Sequence, residues 1–395
     1  MRRLPLAVIA AALLPAWVAA HAGCGDAATT GDVSSSGAGG GSSTSRDAGA
    51  FDARGDGPLV PADAADAGLS PVLVAITPNP STEAAGPPGP ADSLKAQVET
   101  FAAGTRAIVL SRAPRDLDAA GLDALSSVRD FVASHGQAVV LNLAFVDRAF
   151  DGRQEGLRGK PWNDPASLSA LDALVNTIAT RFGPDLAGLT FGRDVDVYLA
   201  QHPSERAAFR AFAVEACTRA QKRLGAGPRL GVGVAFSFEG ATKPDPIFAP
   251  VLAACSSAVI SYMPGLGDQE AAPASAVAGA VDAMIGAAAG KPILLQGLAY
   301  PSAEVVGSSP EKQALFFQTF FQALGPRRAA FGLVEVFELH DLAKPACTAF
   351  AERQGESAIG PFASYLCSTG LHATGDQAKP AWLEVLAGAS AFLVP

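Results

Sequence analysis

Three carboxylates sit beside apolar runs that a folded chain would bury. Glu335 interrupts the run 332–337. Asp194 follows the run 186–191 by way of Gly192 and Arg193, and Asp147 lies just beyond the run 138–143. Two carboxyls on one rim can divide acid and base work, one keeping its proton and the other losing it. Groups suited to binding stand at comparable places: Arg193, Tyr262, Gln296, Tyr300, Trp162 and Phe337. Other chemistries lack their residues. There is no Gly-x-Ser-x-Gly elbow and no Ser-His-Asp order for a serine esterase. No Cys-x-x-Cys or Cys/His spacing suggests a metal. Gly231-Val232-Gly233 runs on into strand residues, so it is no dinucleotide loop. Neither a cofactor nor a metal is expected.

The elements that must position these groups alternate. Short apolar runs occur at 72–76, 107–110, 138–143, 186–191, 230–236, 258–261, 293–296 and 332–337. Their β-branched content and their Gly, Pro and polar borders predict buried strands. Between them lie helical patterns such as Leu122, Leu125, Val128 and Val132, or Leu168, Leu171, Val175 and Ile178. The clearest opens on Ser309 as N-cap with Pro310 behind it, continues through Phe316, Phe317, Phe320, Phe321 and Leu324, and stops at Gly325-Pro326. Eight strand–helix units in order predict an α/β fold, a closed (β/α)8 TIM barrel over residues 70–395. Chemistry in such a barrel belongs where strands end and βα-loops begin. If Leu333, Glu335 and Phe337 share the inward face, Glu335 lies inside near the top.

The remainder of the 395 residues reads differently. Arg2 and Arg3 precede an apolar stretch at 4–19, short for a spanning helix and apt for a signal peptide over 1–23. Ala20-His21-Ala22 offers a cut before Gly23, whereas Ala22-Gly23-Cys24 resembles the end of a bacterial lipobox, with acylation of Cys24. Residues 24–69 are rich in Ser, Gly and Asp and predict a flexible tether, the disordered linker of a lipid-anchored protein. The expected location is therefore the cell envelope, held to the outer or inner membrane by lipid, with plain secretion as the alternative. The net charge is −9 and no Lys/Arg block exceeds two residues, so no nucleic-acid partner is expected. With Cys24 acylated, four cysteines remain in an oxidising compartment. Cys347 and Cys367 predict one disulfide; Cys217 and Cys255 are either a second pair or buried thiols.

Read together, the strand-end segments 189–199, 261–264, 292–302 and 334–341 resemble the large clan of (β/α)8 retaining glycoside hydrolases, most like its galactanase- and cellulase-like members. In that clan the fourth strand ends in Gly-Asn-Glu, the Glu being general acid/base. The sixth ends in an aromatic residue that steadies the nucleophile, and the seventh ends in the nucleophile Glu. The resemblance implies an oligosaccharide or polysaccharide ligand. It places Asp194 at the acid/base, Tyr262 at the sixth strand, and Gln296, Tyr300, Pro301 and Ser302 in the nucleophile's run. Asp147, Arg193, Trp162 and Phe337 complete the implied sugar site.

The departures decide the chemistry. Retaining hydrolysis needs two carboxyls roughly 5–5.5 Å apart. Gly297 stands at the nucleophile's place and offers none. Asp194 is one methylene short of Glu. Two readings follow. One is a degenerate barrel that binds glycan at the cell surface. The other is an active O-glycosidase with a rearranged pair, Asp194 as acid and Glu335 as base, inverting the anomeric centre. The bland roles are an Asp194–arginine pair, a Glu335–Arg193 salt bridge, Tyr262 in the core, Trp162 as a loop anchor and a structural His340–Asp341 pair. On this footing Gly297→Glu with Asp194→Glu should restore part of the retaining geometry.

Overall fold

The computed structural model describes residues 72–81, 90–225, 227–243, 246–357 and 360–392. The signal peptide, Cys24 and the whole of the tether lie outside the described residues.

Eight parallel strands form the barrel: β1 (Leu73–Ile76), β2 (Ala107–Arg112), β3 (Ala138–Asp147), β4 (Leu186–Arg193), β5 (Gly231–Ser237), β6 (Ala258–Tyr262), β7 (Ile293–Leu298) and β8 (Phe331–Val336). Each pairs with its sequence neighbour; β8 returns to β1, and a β2–β3 pairing leaves no edge. A two-residue arm, Phe150–Asp151, folds back antiparallel on the end of β3. The predicted (β/α)8 barrel is therefore the observed one.

Helices wrap the outside in the expected order. They are α1 (Pro90–Ala102), α2 (Ala119–Ser134), α3 (Pro165–Phe182), α4 (Val195–Gln201), α5 (Arg206–Leu224), α6 (Phe238–Thr242), α7 (Phe248–Ala254), α8 (Val277–Ala288), α9 (Pro310–Leu324), α10 (Lys344–Arg353), α11 (Pro361–Cys367) and α12 (Pro380–Ala391). The α9 start is capped as predicted, the Ser309 hydroxyl accepting the Lys312 N–H at 3.2 Å.

Period-2 alternation splits the core in two. Outward residues such as Val74, Ile108, Leu141, Ile260 and Val334 pack under the helices. Inward residues Leu73, Val259, Leu294 and Leu333 fill the barrel floor. One level higher the inward positions turn polar: Ser111, Asn142 and Thr190 stand in register, as do Gln296 and Glu335. They are joined by hydrogen bonds from Asn142 to Ser111 (2.9 Å), from Thr190 to Asn142 (3.2 Å) and from Thr190 to Gln296 (2.9 Å). The floor is thus hydrocarbon, and the polar layer above it is the base of a cleft. A satellite cluster under α10 and α11 contains Phe350, Phe362 and Tyr365. The Cys347–Cys367 disulfide staples it, and Cys217–Cys255 joins α5 to the residue after α7.

Candidate functional site

At the C-terminal end of the barrel a cleft of about 170 Å³ opens over the polar layer. Asp147, Arg193, Gln296, Glu335 and Phe337 line it, as the strand-end argument expected, with Gly297 between them. Arg112, Arg115, Arg353, Asn79 and Asn142 line it as well and were missed. Arg112 carries a sequence signal, a polar residue ending the second apolar run, but no carboxylate stands beside it to mark it as part of a site.

Glu335 is the one carboxyl on this wall held without a salt bridge among the described residues. Thr77 donates to it at 2.9 Å, and the Gly297 N–H lies close enough to favour its charged form. Burial pushes its pKa up to about 7, against the pull of Thr77, Arg193 and Gly297. It does not bond to Arg193, because Arg193 is committed elsewhere. That guanidinium grips Asp147 through two hydrogen bonds of 2.8 Å and lies 5.3 Å from the centre of the Phe337 ring. Bidentate pairing of this kind fixes both groups.

The place of Gly297 is a matter of backbone as well as side chain. In both of its pairings β7 carries one extra residue here: Ile260 and Tyr262 oppose Leu295 and Leu298, and Glu335 and Val336 oppose Gln296 and Leu298. Gly297 is that bulge, with φ +94°. The bulge turns its N–H toward Glu335, in a conformation that side chains of L-residues disfavour.

Four expected site residues lie elsewhere, each for a physical reason. Asp194 adopts φ 48°, ψ 47° and is not among the residues that line the cleft. Its carboxylate is buried, accepts from Ser261 and pairs with Arg148 at 2.9 Å. The pairing reading allowed Arg193 or another basic residue at the rim, and the partner is Arg148. Tyr262 follows inward-facing Ser261, so alternation sends it outward against Phe238 and Phe316. Tyr300 stacks on Phe316 at 4.5 Å and donates to the Ala272 carbonyl at 2.7 Å. Trp162 is wholly buried beneath the Arg153 guanidinium, and its indole N–H donates to Glu205 at 2.6 Å. It anchors a loop and cannot stack on a sugar. His340 and Asp341 do not pair either: Asp341 takes Lys379 at 2.6 Å.

The electrostatics follow. Arg112, on the cleft wall, has no carboxylate within salt-bridge distance among the described residues; its guanidinium donates to the Ser111 carbonyl at 2.7 Å. Burial lowers its pKa to about 10, with Asp116 opposing, so it stays charged at neutral pH. Arg115 stands over the Phe150 ring at 4.3 Å. Four arginines thus face Asp116, Asp147 and a Glu335 that is half protonated near pH 7. The cleft leans positive in a chain whose net charge is −9.

No family model matches the chain and no curated protein matches it. Solved structures do. A GH5_18 glycoside hydrolase from Bifidobacterium longum, bound to Manβ1-4GlcNAc, superposes with TM-score 0.62 at 17% identity over 82% of this chain and 79% of that one. One from Streptomyces cattleya, bound to GlcNAc, gives 0.62 at 16% identity over 83% and 82%. An exo-β-1,4-mannosidase from an Opitutaceae bacterium gives 0.60 at 14% identity, over 82% of this chain and 59% of the other. At these identities the likeness establishes the fold, a (β/α)8 barrel, and nothing finer.

Proposed function

We propose that this barrel binds a glycan in its mouth and does not perform retaining hydrolysis. The observation that carries the reading is Gly297, a bulge residue whose N–H reaches Glu335 at the place where the resembling enzymes present a nucleophile. Asp194, the acid/base position, is locked to Arg148 and Ser261. Neither half of a retaining pair is supplied. The uncompensated Arg112 adds a preference: a guanidinium with no carboxylate partner favours an acidic sugar, whose carboxylate it can grip with two N–H groups. The signal and tether support an exported envelope lipoprotein acylated at Cys24, which would display such a binder at a membrane.

Calorimetric titration with an oligouronide and with a neutral manno-oligosaccharide of equal length tests this. The acidic ligand should bind at least about tenfold tighter, a difference near 1.4 kcal/mol, and Arg112→Ala should erase the difference. Equal affinity for both ligands defeats the acidic preference. Release of reducing sugar with retained configuration, or covalent labelling by a mechanism-based inactivator, defeats the binding reading as a whole. One observation favours turnover instead: a carboxyl with a pKa near 7 suits a general acid at neutral pH. Hydrolysis with inversion, abolished by Glu335→Gln, would establish that reading.

A further inference from the structure

Behind the cleft wall, on the far side of Asn79, three distant segments bring two imidazoles and a carboxylate together. Glu99 comes from α1, His340 from the loop after β8, and His372 from the loop before α12. One ligand atom from each lies within 4.8 Å of the others. Glu99 Oε1 is 3.2 Å from His372 Nδ1, and Glu99 Oε2 is 3.9 Å from His340 Nε2. Asp376 Oδ1 stands 3.0 Å from His340 Nε2. Tetrahedral ligands bound at roughly 2.0–2.2 Å from a zinc ion are about 3.3–3.6 Å apart, so these spacings bracket such a site.

The imidazoles are prepared for a ligand. His340 Nδ1 lies 2.7 Å from the Asn79 carbonyl, which only accepts, so Nδ1 carries the proton and Nε2 presents a lone pair. The Asn79 side chain also takes the His340 N–H at 2.9 Å, fixing the ring from behind. A backbone carbonyl holding the remote ring nitrogen is the usual support of a metal-bound histidine. His340 and His372 are both buried; His340 Nε2 and His372 Nδ1 face the Asp376 and Glu99 carboxylates without making a hydrogen bond, and His372 Nε2 has no hydrogen-bond partner among the described residues. Buried polar atoms without partners are rare and call for an explanation.

We propose that Glu99, His340 and His372 bind a divalent transition-metal ion, with zinc the best match to two imidazoles and one carboxylate. Asp376 or water fills the fourth position. Asp376 is also held by Lys95, so water takes the place whenever that pair persists. Such an ion would tie α1 to the two loops and hold Asn79, whose other side lines the cleft. Its role is structural: it braces one wall of the site without touching the ligand. The inference is independent of what the cleft binds.

Metal analysis of the full chain, produced with micromolar zinc and then dialysed, should give about one zinc per protein. Cobalt(II) added to the stripped protein should give the intense visible bands of a four-coordinate N/O site. Glu99→Gln and His372→Gln should each cut metal content at least tenfold. Chelator should lower the melting temperature of the wild type and leave that of the variants unchanged. Circular dichroism of the variants identifies any that fail to fold, and Glu99→Gln, on a partly exposed helix face, is the one least exposed to that failure. Metal below a tenth of an equivalent in folded wild type overturns the proposal. So does an equal metal content in wild type and both variants, which would mark adventitious binding.

Discussion

The two sides of the barrel mouth treat their carboxylates in opposite ways. On the β3–β4 side each carboxylate has its own guanidinium: Asp147 with Arg193, and Asp194 with Arg148. On the β7–β8 side Glu335 has a hydroxyl, a backbone N–H and no salt bridge among the described residues. A carboxylate gripped by arginine is fixed in place and becomes architecture. One buried among dipoles alone keeps its proton to higher pH and remains available for binding or acid chemistry. The same residue type therefore means structure on one rim and function on the other, and the partner decides which. Hydrolysis by a pair would need both rims to behave like the second.

The sharpest way to break this contrast is to take an arginine from the first rim. Arg148→Ala strands the Asp194 carboxylate, whose side chain is 2% exposed. Removing one partner of a buried pair costs about 3–5 kcal/mol, to be read from urea unfolding. Arg193→Ala should cost less, because its pair with Asp147 is partly open to solvent. If Arg148→Ala costs under about 1 kcal/mol, the buried pair is not architecture.

A second test addresses the other rim through pH. The Glu335 pKa is raised from 4.5 to about 7 in the folded chain, first by burial. The native state thus holds the proton more tightly than the unfolded one. Its contribution is fully present below pH 4.5 and is lost as pH rises through about 7. A shift of this size corresponds to up to about 3 kcal/mol. Glu335→Gln should remove that slope, so that the variant gains on the wild type between pH 5 and 8. Asp196, raised to about 6, and the buried Glu338 titrate upward as well, so the comparison must be wild type minus variant. A difference that stays flat across this range would mean Glu335 is ionised throughout.

The barrel was legible because eight apolar runs bounded by breakers leave few alternatives. Side-chain direction was legible only where alternation ran unbroken. Leu333, Glu335 and Phe337 alternate without interruption, and Glu335 and Phe337 reach the cleft. On β6 the same rule places Ser261 inside and Tyr262 outside, yet the resemblance had put Tyr262 in the site. Asp194 escaped because a left-handed residue redirects a carboxylate by dihedral angles that composition does not encode. The Glu99–His340–His372 cluster escaped for another reason: its members come from three segments far apart in the chain, beyond any spacing rule.

The smallest predicted effect bears on the residue that separates the rims. From sequence alone Gly297→Glu is a repair, returning a nucleophile to its place. The backbone argues otherwise. At φ +94° any L side chain is strained, although the space is adequate: an added Cβ would meet Met263 at 3.4 Å and Ser261 at 3.7 Å. Gly297→Ala should therefore cost about 1–3 kcal/mol from conformation alone, with the Glu335 pH slope retained, because the burial that raises its pKa is unchanged. Gly297→Glu should lose at least as much stability and still resist a mechanism-based retaining inactivator, because Arg148 and Ser261 continue to occupy the Asp194 carboxylate. Adding Asp194→Glu should not rescue labelling. Should the double variant be labelled at residue 297, the bulge would have to relax when a side chain is supplied, and the difference between the two rims would lie in side chains alone.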